Sequence, residues 1–359
     1  MNSFSLTLLK WFRENGRDLP WRQTRDPYAI WLSEIILQQT QVKQGWDYWE
    51  RFMRRWPRVE DLAAATEDEV LREWQGLGYY SRARNLHYAA KQIVALGHFP
   101  DTIEEIRQLK GVGDYTAAAI GSIAFGLPAA VVDGNVYRVL SRHFGIDTPI
   151  NTTEGKKLFA ALAQEKLLPA LNREGQGAGL YNQAIMDFGA IQCTPQSPHC
   201  DVCPLMETCS AFREGRVGEL PVKQKTLVVK ERHLIYIYVR CKGETAIHRR
   251  GPGDIWQGLW EPYLMDNGQL IMDNDSLAQP IEQLVSRSLN CQLSIVNCQL
   301  IAKQVKHVLT HRILMADFYL LETEEKPALP PDYIWIKETE LDQYAVPRLI
   351  EILLESLPL

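Results

Sequence analysis

The sequence contains no run of roughly 18 or more apolar residues, so it offers no candidate for a membrane-spanning helix. Its N-terminal apolar stretch is interrupted by Lys10 and Arg13, too early for a secretory signal peptide. We therefore expect an intracellular protein without membrane association, cytoplasmic if the source is a bacterium.

The chain also lacks a strong charge of either sign. Lys and Arg number 39 against 44 Asp and Glu, which gives a net charge of −5. Overall charge therefore does not indicate a nucleic-acid partner, and any such partner must be argued from local features. The sequence shows no internal repeat and no low-complexity tract.

The 359 residues are 46% hydrophobic and include ten Trp, which is enough for two folded domains. Up to about residue 190 the pattern is a succession of helices. Asp26 and Pro27 predict the N-cap and first turn of a helix that runs through Glu34 to about Gln41. Further caps are predicted at Thr66-x-x-Glu69, Ser81 and Thr102-x-x-Glu105. This half is expected to be all-α.

After Cys209 the composition changes. A polar, glycine-bearing stretch at 213–221 resembles an interdomain connector. Strands are predicted at 234–239, 292–301, 312–321 and 333–336, with helices near 277–289 and 347–356. The second domain is therefore expected to be α+β. We predict domains at 1–215 and 230–359, joined by a connector at 216–229.

Four of the seven cysteines lie within residues 193–209, in the spacing C-x6-C-x2-C-x5-C. In a reducing compartment such a cluster favours metal binding over disulfides. Structural zinc usually takes two separated C-x2-C pairs, whereas one looped run is better suited to a four-iron cluster. The spacing of the cysteines favours an iron–sulfur cluster, and a zinc site remains the alternative. The candidate ligands are Cys193, Cys200, Cys203 and Cys209.

A glycine pair follows Leu109 in the stretch L-K-G-V-G-D-Y-T-A. A dinucleotide loop is excluded because a helix precedes it and Thr116 stands where a third glycine belongs. A Walker loop is excluded because no Gly-Lys-Ser/Thr follows. Two helices joined by a hairpin remain, with backbone N–H groups that suit a phosphate. Two interpretations stay open: this hairpin is a plain structural turn, or it binds the DNA backbone through Gly111, Val112 and Gly113.

Two carboxylates stand in apolar surroundings. Glu34 shares a helix face with Ile30, Trp31 and Leu37. Such a carboxylate either has its pKa raised by desolvation, as a general acid requires, or belongs to a buried structural ion pair, and this position taken alone favours neither role decisively, with the ion pair the more common one. Asp133 follows Ala-Ala-Val-Val and precedes Gly-Asn, which suits a rigid, ionised N-cap with or without a catalytic role.

Together these residues resemble the helix-hairpin-helix DNA glycosylases with an iron–sulfur loop, and most closely the MutY family, which acts on adenine opposite 8-oxoguanine. The resemblance covers nearly the whole chain. It is carried by the four cysteines and by W-L-S-E-I-I-L-Q-Q-T-Q-V (31–42), G-L-G-Y-Y-S-R-A-R-N-L (76–86), L-K-G-V-G-D-Y-T-A (109–117) and V-D-G-N-V (132–136).

The resemblance implies an all-α catalytic region, comprising a six-helix barrel and a subdomain with one 4Fe–4S cluster, followed by an α+β Nudix-like domain. It implies double-stranded DNA with 8-oxoguanine:A or G:A mispairs as substrate, and adenine flipped out of the stack. Glu34 would protonate the base at N7 and later activate water. Asp133 would stabilise the oxocarbenium-like sugar or bond to it. We expect a monomer.

Other site residues follow from the same resemblance. Tyr115 and Asn135 would assist at the sugar and the aspartate. The adenine pocket would include Trp21, Arg22 and Gln183, and the residues placed at 8-oxoguanine would include Gln39, Tyr79, Thr310 and His311. The related endonuclease III-like lyases carry a lysine at the position of Tyr115, so we expect base removal with little or no strand cleavage.

The second domain resembles a Nudix fold through R-R-G-P-G-D-I-W-Q-G-L-W-E (249–261). A Nudix hydrolase binds its metals with an R-E-x-x-E-E helix, but the candidate helix at 280–289 has one acid, so nucleotide hydrolysis is not expected. In the family this domain reads 8-oxoguanine with a Phe-Ser-His tip, whereas this chain has Leu309-Thr310-His311. Two alternatives stay open: a glycosylase for another base, such as mismatched thymine, and a non-catalytic iron–sulfur DNA-binding protein.

Overall fold

The computed structural model describes residues 4–172, 177–224, 229–265 and 297–358. The chain forms two compact units, one of residues 1–64 and 85–225 and the other of residues 65–84 and 226–359. The predicted domains are continuous in sequence, whereas segment 65–84 groups with the sheet-containing unit. In the described part of the chain, no helix has the length and apolar character needed to cross a membrane.

The described chain up to residue 213 is helical, as predicted. Its α-helices are α1 (Phe4–Asn15), α2 (Pro27–Leu37), α3 (Val42–Arg55), α4 (Val59–Ala64), α5 (Glu67–Trp74), α6 (Ser81–Leu96), α7 (Ile103–Ile106), α8 (Asp114–Ala124), α9 (Gly134–Phe144), α10 (Thr153–Leu167), α11 (Ala178–Asp187) and α12 (Ser210–Arg213). Short 3₁₀ turns lie at Pro20–Arg22, Leu168–Ala170, Cys200–Val202 and Met206–Thr208, and a π-helical turn lies at Phe188–Gln192.

Helix α2 begins as predicted but ends early. The Asp26 carboxylate accepts a hydrogen bond from the backbone N–H of Tyr28 at 3.0 Å, and Pro27 occupies the first helical position. The predicted end near Gln41 is wrong, because α2 stops at Leu37. Gln38 leaves the helical region, and Gln39 has a positive φ of 57° that no helix accommodates.

The first unit has an aliphatic and aromatic core, and small residues allow its elements to approach closely at two places. Residues 116–122 of α8 are buried, and four of them are Ala or Gly, which allows neighbouring helices to pack closely against α8. Gly189 in the π-helical turn allows a second close approach, because a Cβ atom there would lie 2.9 Å from the backbone oxygen of Asn135 at the start of α9. The cysteine loop that follows this turn is thereby held beside α9.

The second unit contains a mixed seven-stranded sheet. Its strands are β1 (Lys230–Cys241), β2 (Glu244–Arg249), β3 (Trp260–Glu261), β4 (Tyr263–Met265), β5 (Asn297–Val308), β6 (Arg312–Thr323) and β7 (Tyr333–Lys337). The order is β3-β2-β1-β6-β5, with β4 paired to β1 and β7 to β2. Strands β1 and β6 are parallel, and the other pairs are antiparallel. Helix α13 (Arg348–Ser356) packs on this sheet through Leu349, Ile350 and Leu353.

The prediction of an α+β second domain is confirmed, although the observed strands are longer. Strand β1 starts at Lys230, and β5 continues to Val308, seven residues past the predicted end of its segment at 301. A bulge between Leu300 and Val305 interrupts the alternation of side chains between the two faces of the strand, and this alternation is the pattern from which a strand is predicted. The predicted helix at 277–289, with the Nudix metal helix at 280–289, lies outside the described residues.

Candidate functional site

Glu34 lies near the C-terminal end of α2 and is buried, with 9% of its surface exposed. The Tyr115 hydroxyl donates a hydrogen bond to its Oε2 atom at 3.0 Å. Burial is the largest influence on this carboxyl and raises its pKa to about 7; Asp133 also raises the pKa, while the Tyr115 hydrogen bond and Arg22 lower it. Glu34 is therefore an acid that is partly protonated near neutral pH.

Asp133 caps the N-terminus of α9. Its Oδ1 atom accepts from the backbone N–H of Val136 at 2.8 Å, and its Oδ2 atom accepts from the Asn135 side-chain amide at 2.8 Å. Burial raises the pKa of this carboxyl, against the lowering effects of Val136, Asn135 and Arg138. The expected cap is confirmed, but burial outweighs the hydrogen bonds that were expected to hold the pKa down.

The two carboxylates and five other predicted residues surround one cavity of about 600 Å³ in the first unit. The seven residues are Trp21, Arg22, Glu34, Tyr115, Asp133, Asn135 and Gln183. Segments that are distant in sequence are brought together because α2 packs on α8, and α11 packs on both α8 and α9. The cavity combines a partly protonated acid, a second carboxylate and aromatic walls, which suits proton transfer to a bound planar ring.

Three residues that sequence reasoning missed support this cavity. Arg138 donates from Nη2 to the Asn135 side-chain oxygen at 2.8 Å and from Nε to the Cys193 carbonyl at 2.7 Å, so it links the Asp133 cap to the cysteine loop. Met186 approaches the Tyr115 hydroxyl through its Sδ atom at 3.4 Å. Asp187 is fully buried and binds two arginines. For Arg138 and Asp187, the sequence offered one signal of such a role, namely a charged residue within an otherwise apolar helical stretch, whereas Met186 offered none.

The cysteine loop encloses a space of its own. All four thiols line one cavity in the first unit, together with Arg142 and Leu205. The Nη1 atom of Arg142 lies 3.4 Å from Cys193 Sγ, and the same guanidinium donates to the Thr194 carbonyl at 2.7 Å and the Pro195 carbonyl at 3.0 Å. Four sulfurs around a shared apolar cavity, with a cation beside them, fit a polynuclear iron–sulfur cluster carrying net negative charge.

The hairpin between α7 and α8 has the predicted form. Gly111 has a φ of 80°, which favours glycine, and Val112 is buried as the anchor of the turn. Gly113 is the N-cap of α8 and has no side chain to bond the N–H groups of the first turn. Those donors and the helix dipole make this end of α8 suitable for a phosphate.

Gln39, a residue predicted to contact 8-oxoguanine, follows α2 in the first unit with a left-handed φ of 57°. Such a conformation costs a non-glycine residue roughly 1–3 kcal/mol and is concentrated at functional sites.

The other three predicted 8-oxoguanine residues belong to the second unit and lie close to one another. Tyr79 is also left-handed, with a φ of 47°, and is 48% exposed. Its hydroxyl is hydrogen-bonded to Thr310 Oγ1. Thr310 and His311 form the turn between β5 and β6, which the backbone bond from Leu309 N–H to the Arg312 carbonyl closes at 2.8 Å. All three line one cavity of about 730 Å³.

Comparison with protein-family models identifies three segments. Residues 32–165 match the HhH-GPD superfamily of base excision DNA repair proteins, and residues 235–356 match the NUDIX domain. Residues 193–209 match the iron–sulfur binding domain of endonuclease III. The cofactor of this loop is a 4Fe–4S cluster, as predicted.

Comparison with curated proteins finds adenine DNA glycosylases. The protein of Buchnera aphidicola subsp. Baizongia pistaciae is 33% identical over 315 residues, which cover 87% of this chain and 84% of that protein. That of Buchnera aphidicola subsp. Schizaphis graminum is 35% identical and covers 72% and 73%. The mouse protein is 44% identical over 61% of this chain, and the match spans 44% of its own length.

Among solved structures, a thermostable thymine-DNA glycosylase aligns with a TM-score of 0.53 and 33% identity, over 59% of this chain and 95% of that chain. Its match supports the glycosylase fold of the helical part. With relatives above 30% identity aligned over more than two thirds of both chains, and with the helical, iron–sulfur and NUDIX segments in order, the chain belongs to the adenine DNA glycosylase (MutY) family.

Proposed function

We propose that this protein is a base-excision DNA glycosylase that hydrolyses the N-glycosidic bond of adenine mispaired with 8-oxoguanine or guanine in double-stranded DNA. The observation that carries the proposal is the cavity in which Glu34, Tyr115 and Asp133 meet. A glycosidic bond breaks readily when the leaving base is protonated and the positive charge on the sugar is stabilised. Glu34 suits the first task and Asp133 the second.

Each side chain then has a role. Glu34 protonates the flipped adenine at N7 and, once ionised, activates the water that completes hydrolysis. Asp133 faces the developing cation at the sugar or bonds to it, and Asn135 holds its Oδ2 atom in place. Tyr115 assists at the sugar as well as donating to Glu34, and Trp21, Arg22 and Gln183 form the adenine pocket.

Two further assignments are part of the proposal. Gly111, Val112 and Gly113 hold a DNA phosphate through backbone N–H groups, and Gln39, Tyr79, Thr310 and His311 contact 8-oxoguanine. Cys193, Cys200, Cys203 and Cys209 are the cluster ligands; when bound, the cluster cross-links the loop. The enzyme acts as an intracellular monomer.

Strand cleavage is not part of the proposed activity. A lyase needs an amine that forms a Schiff base with the sugar, whereas the side chain at position 115, which lines the cavity with the two carboxylates, is the Tyr115 phenol. Burial raises the pKa of that phenol well above its ordinary value, so it stays neutral. Borohydride should therefore trap little of the enzyme on DNA, and efficient trapping would contradict this part of the proposal.

Single-turnover base release from 8-oxoguanine:A, G:A and G:T duplexes tests the function. We expect adenine release from the first two, with a rate that declines above about pH 7 as Glu34 ionises. Glu34→Gln should lose about 10²–10⁴-fold in rate and retain DNA binding, because only the proton donor is removed. Adenine release by Glu34→Gln at the wild-type rate would overturn the assignment.

A second candidate is supported by one observation. The thymine-DNA glycosylase is 33% identical to this chain, and the alignment covers 95% of the thymine-DNA glycosylase. The same helical scaffold is therefore compatible with thymine as the base that is released. Release from G:T alone would favour thymine as the substrate. Absence of release from all three duplexes, with DNA binding retained, would favour a non-catalytic iron–sulfur protein.

A further inference from the structure

An ion triad at the cavity consists of a buried carboxylate, Asp187, and the partly buried Arg17 and Arg22, and the proposed reaction assigns no role to Asp187 or Arg17. Asp187 is the last residue of α11, and its side chain is fully buried. The Arg22 guanidinium binds it through two parallel hydrogen bonds, Nη1 to Oδ2 and Nη2 to Oδ1, both 2.8 Å long. Arg17 donates to it from the backbone N–H at 2.9 Å and from Nε at 3.0 Å.

The triad determines the position of Arg22. The Nη1 atom of Arg22 also donates to the backbone carbonyl of Arg17 at 2.9 Å, so three hydrogen bonds fix the guanidinium plane. Burial alone would raise the pKa of Asp187, but the hydrogen bonds from Arg22 and Arg17 outweigh it and lower the pKa. The carboxylate therefore stays ionised, and it has a formal charge of −1 against two cations.

The charge of this triad bears on Glu34. The charged or titratable side chains that line the cavity with Glu34 are Arg17, Arg22, Tyr115, Asp133 and Arg138. Without the charge of Asp187, two guanidinium groups would be uncompensated at one wall, and Arg22 would be free to turn toward the carboxyl of Glu34. An ion pair there would favour the carboxylate form of Glu34, which cannot donate a proton.

We infer that Asp187 is a positioning residue that holds Arg22 and Arg17 on its own carboxylate and thereby keeps Glu34 protonated and able to donate to the base. This inference rests on the proposed function. Asp187 does not line the cavity itself, and Gln183, one helical turn earlier on α11, does. Asp187 therefore acts through Arg22 and Glu34 and makes no direct contact with the substrate.

The test is the pH profile of single-turnover adenine release by the full chain with its cluster, for the wild type, Asp187→Asn and Asp187→Glu. Asp187→Asn should stay within about threefold of the wild type at acidic pH and be about tenfold slower at pH 8. These rates correspond to an alkaline limb of the pH profile that lies about one pH unit lower than in the wild type. Asp187→Glu, which keeps the charge, should return the limb toward its wild-type position.

A merely structural role predicts a different result, namely the same loss at every pH, and that outcome would overturn the inference. Asp61→Asn is the matched control, because it removes a carboxylate from the exposed Arg58–Asp61 pair and should leave the profile unchanged. If Asp187→Asn does not fold, Arg17→Gln provides the test, since it removes one cation and keeps the Asp187–Arg22 pair. Its limb should move to higher pH, and an unmoved limb would overturn the inference.

A second readout does not depend on catalysis. In protein labelled with ¹³C at the glutamate carboxyl, the Glu34 resonance is identified by its absence in Glu34→Gln, and its pKa is then followed by NMR. The pKa should be lower in Asp187→Asn than in the wild type; equal values would contradict the inference. Failure of the wild type to release adenine would contradict the proposed function, but would leave this titration valid.

Discussion

At the scale of single residues, Glu34 shows how burial creates an acid suited to neutral pH. Its ordinary pKa of 4.5 rises to about 7 because α2 places the carboxyl where it is buried and desolvated, with one hydrogen bond from Tyr115. The nearby cation at Arg22 lowers the pKa less than burial raises it. Desolvation therefore decides the outcome.

A stability prediction follows from the raised pKa of Glu34. Between about pH 4.5 and 7 the unfolded chain ionises this group while the folded chain keeps it protonated, so ionisation increasingly favours unfolding as pH rises. Glu34→Gln should remove this cost, with a stabilisation relative to the wild type that grows by about 2–3 kcal/mol from pH 5 to pH 8. Thermal or denaturant unfolding at the two pH values measures it.

The exposed residue Glu14 on α1 provides the control, because Glu14→Gln changes a carboxyl that is not buried. Its effect on stability should be small at both pH values, because the side chain is exposed. A stabilisation by Glu34→Gln that is equal at pH 5 and pH 8 would show that the folded protein holds Glu34 at an ordinary pKa.

At the scale of elements, α9 connects the carboxylate site to the cysteine loop. Asp133 caps its first turn, Arg138 binds Asn135 and the Cys193 carbonyl, and Arg142, one turn further on, binds the loop beside Cys193 Sγ. Residues four apart lie on one face of a helix, so a single face of α9 presents both arginines to the loop.

Arg142→Met should therefore weaken the cysteine loop. The substitution leaves the carbonyls of Thr194, Pro195 and Leu220 without their donor and removes a cation beside Cys193 Sγ. We expect a lower iron-to-protein ratio and a lower unfolding temperature. Arg213→Met, which changes an exposed side chain at the end of α12, is the control and should keep its iron. Full iron content in Arg142→Met would refute the prediction.

The two glycines of the α7–α8 hairpin should respond differently to alanine. Gly111→Ala places a methyl group 2.8 Å from Asn85 Cβ at a φ of 80°, so it should destabilise the protein by about 1 kcal/mol or more. At Gly113 the same methyl group meets nothing within 4 Å, and φ is negative. Gly113→Ala should keep the stability but weaken DNA binding, if a phosphate approaches there.

Denaturant unfolding and DNA titrations of the two variants measure these effects. Because Gly113→Ala controls for the loss of a glycine without strain, the pair separates folding from binding. Equal destabilisation by both substitutions would contradict the role given to Gly111. Unchanged DNA affinity in Gly113→Ala would contradict a close phosphate at α8.

At the scale of the whole molecule, the residues proposed for hydrolysis lie in the first unit, whereas three of the four residues proposed to contact 8-oxoguanine lie in the second and Gln39 lies in the first. The carboxylates lie in the first unit, and Tyr79, Thr310 and His311 in the second. A net charge of −5 means that DNA binding must depend on local donors and cations. Variants of the second unit should therefore alter the choice of the base opposite adenine while leaving the hydrolytic step intact.

Thr310→Ala tests this separation. Removing the hydroxyl next to Tyr79 should lower the rate of release from 8-oxoguanine:A relative to G:A by about 2–10-fold, the value of one hydrogen bond, with little change on G:A. Thr310→Ser keeps a hydroxyl and should retain the preference. An equal loss on both duplexes would show that Thr310 supports the fold and not the recognition of the damaged base.

The sequence by itself determined what depends on near neighbours in the chain. The caps at Asp26, Thr66, Thr102 and Asp133, the glycine hairpin and the spacing of the cysteines are local, because each is set by side chains within a few residues of one another. Two predictions that also depended on local pattern, the end of α2 and the extent of β5, were wrong. A left-handed residue and a bulge interrupt the periodicity there.

Only the tertiary structure decided that Glu34 and Asp133, far apart in sequence, line one cavity, and that burial raises the pKa of both. It also revealed Arg138 and Asp187 as partners of the site, and grouped residues 65–84 with the second unit. Desolvation and charge pairing depend on everything packed around a group. A single stretch of sequence cannot reveal these effects, because they arise only when helices that are distant in sequence pack together.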